Sequence, residues 1–410
     1  MLARYLRTMV VLTGLLLATL ESPWAEIVPE ETGTVMRLAP GSDPHRVWVA
    51  DRMFRHSILF DGDTGVALGM VDINWSLGGQ TPSISRERGE IYVVEPVYSR
   101  GHRGERKDYV TIYDALTLDV LGEVELPTRS ADIGHGVALA TVLDGGRFLV
   151  IFNQTPATSV SVVDLQARSF AAEIHTAGCA MVYATGPRSF GMLCGDGTAL
   201  RVDLDEQGRE TRSVHSLSFF DPVTDPLTEK GARDGNRWLF ASFEGYLHEI
   251  DFDGERPEPG TPWDLFSKAE REDAWRVGGI QHLTVHRDRR SLYSLVHQGG
   301  AGTHKDSGSE IWVYDLGARK RVQVIDVPKL LPGLLRPIVG VEAGGVLDWF
   351  LRLLLPDLGA HSIVVTQDSQ PLLFVRHGQT GAVGVLDATT GQHLRDLEES
   401  GISGGTMALP

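Results

Sequence analysis

Cysteine is nearly absent from this 410-residue chain: Cys179 and Cys194 are the only two. Two thiols so far apart make neither a four-ligand zinc site nor a C-x-x-C redox motif. Positive charge is also in deficit, with 38 Lys and Arg against 54 Asp and Glu and a net charge of −16. No basic face is available to neutralise phosphates, which excludes nucleic acid as a partner. The clusters Arg100 to Lys107 and Arg287 to Arg290 are short and flanked by acids, and read as solvated loops. No phosphate loop or H-E-x-x-H helix occurs. The fourteen histidines are scattered, and none forms a recognisable triad with a Ser and an Asp. Either a site is assembled from distant loops, or the chemistry belongs to a partner.

What the chain does have is repetition. Asp108 to Pro127, DYVTIYDALTLDVLGEVELP, reads as a strand, an aspartate, a polar turn and a second strand, which is a hairpin. The same pattern recurs at Ile58 to Asp72, Val160 to Ile174, Ala199 to Ser213, Tyr246 to Gly260, Ile311 to Val327 and Val383 to Leu397. Each copy follows another short apolar run, such as RVWVAD from Arg46, EIYVVE from Glu90 and PLLFVR from Pro371. The anchoring aspartates Asp61, Asp114, Asp164, Asp203, Asp251, Asp315 and Asp387 are unevenly spaced. Uneven spacing is unsuited to a solenoid of identical repeats but suits four-stranded blades with variable loops. The expected fold is all-β, a seven-bladed β-propeller.

The first 25 residues read as a signal peptide: Arg4 and Arg7, an apolar run from Met9 to Leu20, then Ser22-Pro23-Trp24-Ala25. The run is too short to span a bilayer, and nothing else approaches 18 uninterrupted apolar residues, so an exported protein is expected, with an uncleaved anchor as the alternative. Residues 26–410 then form the propeller. Ring closure needs a strand lent from one end of the chain, and both Thr34 to Leu38 and Thr406 to Leu409 are candidates. In an exported chain, Cys179 and Cys194 at the ends of a predicted hairpin are best read as a disulfide; two buried free thiols are the alternative.

Two stretches interrupt the β pattern. Thr261-Pro262-Trp263-Asp264 followed by LFSKAEREDAW carries a helix-start signal, and Gly278-Gly279 a stop, which predicts a helix of about three turns. The second is an insertion at about 329–360, where seven of the nine residues Leu347 to Leu355 are apolar. It reads as a helix packed on the propeller, a docking surface for another subunit, or a membrane-surface contact. His282 and His286 lie on an alternating, strand-like run, about 13 Å apart if extended, too far to share one metal ion. Asp61 to Gly65 looks like the start of a calcium loop but lacks its later glutamate, and reads as a hairpin turn. No metal site is expected.

Several stretches together resemble the heavy subunit of the quinoprotein amine dehydrogenases, the methylamine and aromatic amine enzymes. They are SRGHRGERKDYVTIYDALTL from Ser99, CAMVYATGPRSFGMLCGDGT from Cys179 and KAEREDAWRVGGIQHLTVHRDRRSLYSLV from Lys268, with His304-Lys305 and the tail VLDATTGQHLRDLE from Val385. The resemblance implies a periplasmic heterotetramer of two heavy and two cysteine-rich light chains. It implies a tryptophan tryptophylquinone cofactor in the light chain, so that this chain has no cofactor or catalytic residue of its own. The complex would oxidise a primary amine to aldehyde and ammonia and pass electrons to a small blue-copper protein or cytochrome c. By the same resemblance Phe54 lines the substrate channel, with an ordinary core phenylalanine as the alternative. Trp75, Trp263, Trp275 and Trp349 are read as packing or interface residues, not cofactor precursors. The insertion departs from the family pattern. Two other readings stand beside this one: a binding propeller that has lost its catalytic partner, and a self-sufficient propeller hydrolase with a metal in its funnel.

Overall fold

Each repeat buries an apolar strand pair that cannot be covered within its own hairpin, so neighbouring repeats stack face to face. The computed structural model describes residues 37–38, 44–74, 81–101, 103–127, 129–130, 138–331, 346–354, 357–398 and 400–410. The expected signal peptide, Thr34 to Met36, and Trp75 lie outside the described residues. The unit Leu38–Pro410 holds seven antiparallel sheets and is a seven-bladed β-propeller. The central strands of successive blades are Arg46–Asp51 with His56–Asp61, Glu90–Tyr98 with Arg106–Asp114, Phe148–Thr155 with Ser159–Asp164, and Ser189–Cys194 with Ala199–Leu204. Arg237–Ala241 with Tyr246–Asp251, Ser291–Gln298 with Glu310–Asp315, and Leu372–Arg376 with Val383–Asp387 complete the set. Three sheets gain a fifth strand because an edge strand is split in two; in blade six, Trp275–Val277 and Leu283–His286 both pair with Ser291–Gln298.

The repeated aspartates explain the turns. Asp61, Asp114, Asp164, Asp315 and Asp387 each accept two main-chain N–H groups from the residues two and three positions on, between 2.7 and 3.2 Å. A short carboxylate closing on its own backbone in this way mimics a turn. Asp251 holds one such N–H, from Asp253. In blade four the role passes to Asp205, two residues beyond Asp203, which instead pairs with Arg201. Asp61 to Gly65 is thus one of these hairpin turns.

The core lies between blades, where Trp48, Phe148, Phe190, Phe252 and Phe374 are almost wholly buried. Close approach sets some residue choices: a Cβ at Gly191 would meet the Phe252 ring at 2.6 Å. The ring closes through the C-terminus, because Met407–Ala408 pairs antiparallel with Trp48 and Val49 in blade one. Leu38 N–H donates to Leu116 O.

The predicted three-turn helix is shorter and starts later. Trp263–Asp264 is a strand on Tyr246–Asp251, and helix α1 spans only Lys268–Glu272. Its cap is Ser267, joined to Glu270 in a reciprocal capping box, and Ala274 at φ 61° ends it well before Gly278. Within the insertion, helix α2 spans Val346–Leu354.

Candidate functional site

In a four-stranded antiparallel blade, the connection between the second and third strands and the crossover to the next blade leave from the same end. That end is the loop face; the aspartate turns occupy the other. In blade one the loop-face connection is Arg52 to Arg55, and it carries Phe54.

This loop is held from beneath by Asp51. Its carboxylate is 2% exposed and accepts the N–H of Met53 at 2.7 Å and of Phe54 at 2.9 Å on one oxygen. The other oxygen accepts Ile402 N–H at 2.7 Å and Ser403 N–H at 3.3 Å, while the Ser403 hydroxyl donates to the first at 3.1 Å. Burial alone would raise the Asp51 pKa, but these N–H groups and the charge of Arg376 hold it below the ordinary carboxylate value. Gly401 lies at φ 97°, and a Cβ there would sit 2.0 Å from the carboxylate, so only glycine fits. Arg376 is fully buried and donates to Ala50 O at 2.5 Å, Ser403 O at 2.7 Å and Thr406 O at 3.3 Å.

A buried cluster therefore presents Met53 and Phe54 to solvent, flanked by the exposed Arg52 and Arg55. Met53 is 65% and Phe54 51% exposed. The Phe54 ring stacks on His56 at 5.8 Å, beside a cleft of about 470 Å³ that Ile58, Met70 and Gly401 also line. Phe54 is thus not a core phenylalanine.

The loop face carries two further features. Cys179 and Cys194 form a disulfide between directly opposed residues of adjacent blade-four strands. Among the described residues the one group of three metal-type donors within reach of each other is Cys179, Cys194 and His215, and the disulfide consumes two of the three. Helix α2 is tethered through Arg352, which donates to Asp396 at 2.5 Å and to Lys329 O at 2.7 Å. Its Leu347, Phe350, Leu353 and Leu354 are between 47% and 65% exposed. Trp263 is buried, its indole N–H donating to Glu249, and the Trp275 ring packs 4.9 Å from Trp312. Among the described residues no helix is long and apolar enough to cross a membrane.

Sequence reasoning picked out Phe54 and the cysteines but missed Asp51, Arg376 and Ser403. Asp51 carries the same aspartate-before-turn signature as the seven hairpin aspartates, so its half of the cluster was visible. Its partners, more than three hundred residues away, were not.

The fold and this face define a class: a seven-bladed propeller whose catalytic-type side chains are dispersed and whose loop face displays rigidly held apolar groups. The chain belongs to the methylamine dehydrogenase heavy chain family, whose sequence profile it matches over residues 43–334. It is 27% identical to the methylamine dehydrogenase heavy chain of Paracoccus versutus over 370 residues, covering 88% of this chain and 79% of that one. It is 25% identical to the corresponding chain of Methylobacillus flagellatus, covering 95% and 94%. Among solved structures it is similar to the dihydro-heme d1 dehydrogenase NirN, at 18% identity and a TM-score of 0.53 over 91% of this chain and 77% of that one, a likeness of fold alone.

Proposed function

We infer that this chain is the heavy, scaffold subunit of a periplasmic amine dehydrogenase. It pairs with a small, cysteine-rich light subunit, two copies of each, and the light subunit carries tryptophan tryptophylquinone. The overall reaction takes a primary amine and water to an aldehyde and ammonia, releasing two electrons and two protons. The quinone, when present, accepts those electrons, and a small blue-copper protein or cytochrome c takes them onward.

The observation that carries this reading is the Met53–Phe54 loop, an exposed apolar pair fixed by a buried carboxylate in a chain of this family. Contiguous exposed apolar groups, unlike scattered ones, mark interaction sites, and Phe54 and Met70, both more than half exposed, line one cleft. Phe54 then lines the amine's path to the partner's quinone, and the Asp51 cluster keeps it from collapsing into that path. The chain's own residues bind, orient and exclude water, with proton and electron transfer left to the light subunit.

The test is to isolate the mature chain from its native periplasm and record the spectrum and mass of what accompanies it. A small cysteine-rich chain with a visible chromophore bleached by amine supports the reading. Recovery of the chain alone and colourless favours a binding propeller without a catalytic partner, and amine turnover by the isolated chain refutes the scaffold role.

A further inference from the structure

The seam between blades five and six holds a cation that the fold leaves without an anion. Lys230, on the loop-face crossover into blade five, is 5% exposed, and its ammonium donates to one group, Gly279 O, at 3.0 Å. Burying an ammonium is costly unless it is paired, and it carries three donors. Among the described residues no carboxylate forms an ion pair with it; Glu229 and Asp306 act only at longer range in this cluster.

The neighbours add to the demand. His304, on the loop-face connection of blade six, stacks on Phe243 with ring centroids 3.8 Å apart, and its buried Nδ1 has no hydrogen-bond partner. Burial, then Lys230 and Lys305, push its pKa below the ordinary histidine value. His282, fully buried beside them, is 3.0 Å from the Thr228 hydroxyl and is held neutral by burial and by Lys230. The seam therefore offers one buried ammonium, one nearby exposed ammonium at Lys305, and a neutral imidazole whose Nδ1 is free to donate.

We propose that Lys230, His304 and Lys305 form a receptor for a single carboxylate on the loop face. One oxygen accepts from Lys230 Nζ and the other from His304 Nδ1–H, with Lys305 at the rim. Inside the seam the one cation is Lys230, with Lys305 at the exposed rim, so the buried part of the receptor matches the single charge of a carboxylate better than the −1.5 to −2 of a phosphate. The carboxylate comes either from a docking protein, as a side chain or chain end, or from a small free acid. The receptor does not depend on the amine dehydrogenase reading.

The experiment titrates sodium acetate, against sodium chloride at equal ionic strength, into the mature chain with labelled histidine rings. The expected result is a saturable shift of the His304 resonances with acetate alone, weakened at least tenfold in Lys230→Met, whose apolar side chain suits the buried site. His304→Ala, read by acetate-dependent thermal stabilisation, tests the same point if Lys230→Met does not fold. No saturable acetate response in the wild type, undiminished binding in the variants, or tighter binding of inorganic phosphate overturns the proposal. With the light subunit bound, displacement of acetate assigns the carboxylate to the partner, and retention assigns it to a free acid. Failure of any partner to assemble counts against the proposed function and leaves the acetate result standing.

Discussion

The carboxylate of Asp51 accepts the main-chain N–H of Ile402 at 2.7 Å, joining the loop that carries Phe54 to the last connection of the chain. This one side chain serves ring closure and loop presentation together. Asp51→Asn keeps an acceptor for Met53 and Phe54 but leaves Arg376 as an uncompensated buried cation. The expected loss is about 1–3 kcal/mol of unfolding free energy, measured in urea at neutral pH, since Asp51 acts on Arg376 by charge at a distance and not as a contact ion pair. Because the folded Asp51 pKa lies below its unfolded value near 3.9, its contribution is complete above that pH and disappears as pH falls through the folded value. The variant's stability should therefore fall less steeply than wild type on acidification below about pH 4. A parallel acid limb in the two proteins refutes the assignment.

Phe54 tests function apart from fold. Its ring is half exposed, so Phe54→Ala should change the stability of the free chain by no more than about 0.5 kcal/mol. In the assembled enzyme the same change should shift the ratio of kcat/KM between short and long amines by about tenfold. Unchanged selectivity would remove Phe54 from the substrate path and return it to the role of an exposed loop residue.

Much of this was readable beforehand, for a physical reason. Alternating apolar runs and the aspartate-turn signature are local, and locality is what a linear sequence displays. Thr261 and Asp264 gave a false helix start because Trp263 pairs with Leu247 and bonds Glu249, so tertiary pairing overrode the local signal. The true cap, Ser267 with Glu270, bears the same signature six residues further on. The closing strand stayed ambiguous because TVMRL and TMAL are both short and β-prone. Lys230 was invisible, since nothing in a lysine's sequence neighbourhood announces burial.

The Cys179–Cys194 bridge closes a loop of fifteen residues, which in the chain-entropy model stabilises by about 3 kcal/mol. Cys179→Ser/Cys194→Ser should unfold at correspondingly lower urea concentration, and dithiothreitol should have no further effect on it. The strand register around the bridge also rests on main-chain bonds, including Gly195 N–H to Gly178 O at 2.9 Å. The double variant is accordingly expected to keep a native far-ultraviolet spectrum. A lost spectrum would mean that the bridge forms blade four instead of securing it.

Truncation after Thr406 removes the strand that closes the ring. Met407 is fully buried, and both its N–H and its carbonyl are held at 2.9 Å by the Gln281 side chain, an amide acting as a substitute strand. Losing that side chain costs about 1.5–3 kcal/mol of burial. The severed hydrogen bonds add about 1 kcal/mol each. The truncated chain should thus lose about 4–6 kcal/mol, and Arg46–Asp51 becomes an open edge able to pair with another molecule. Light scattering should show concentration-dependent self-association that the full chain lacks, and Met407→Ala, which keeps the backbone strand, should be destabilised without associating. If the truncated chain stays monomeric and as stable as the parent, the C-terminal strand is not what closes the propeller.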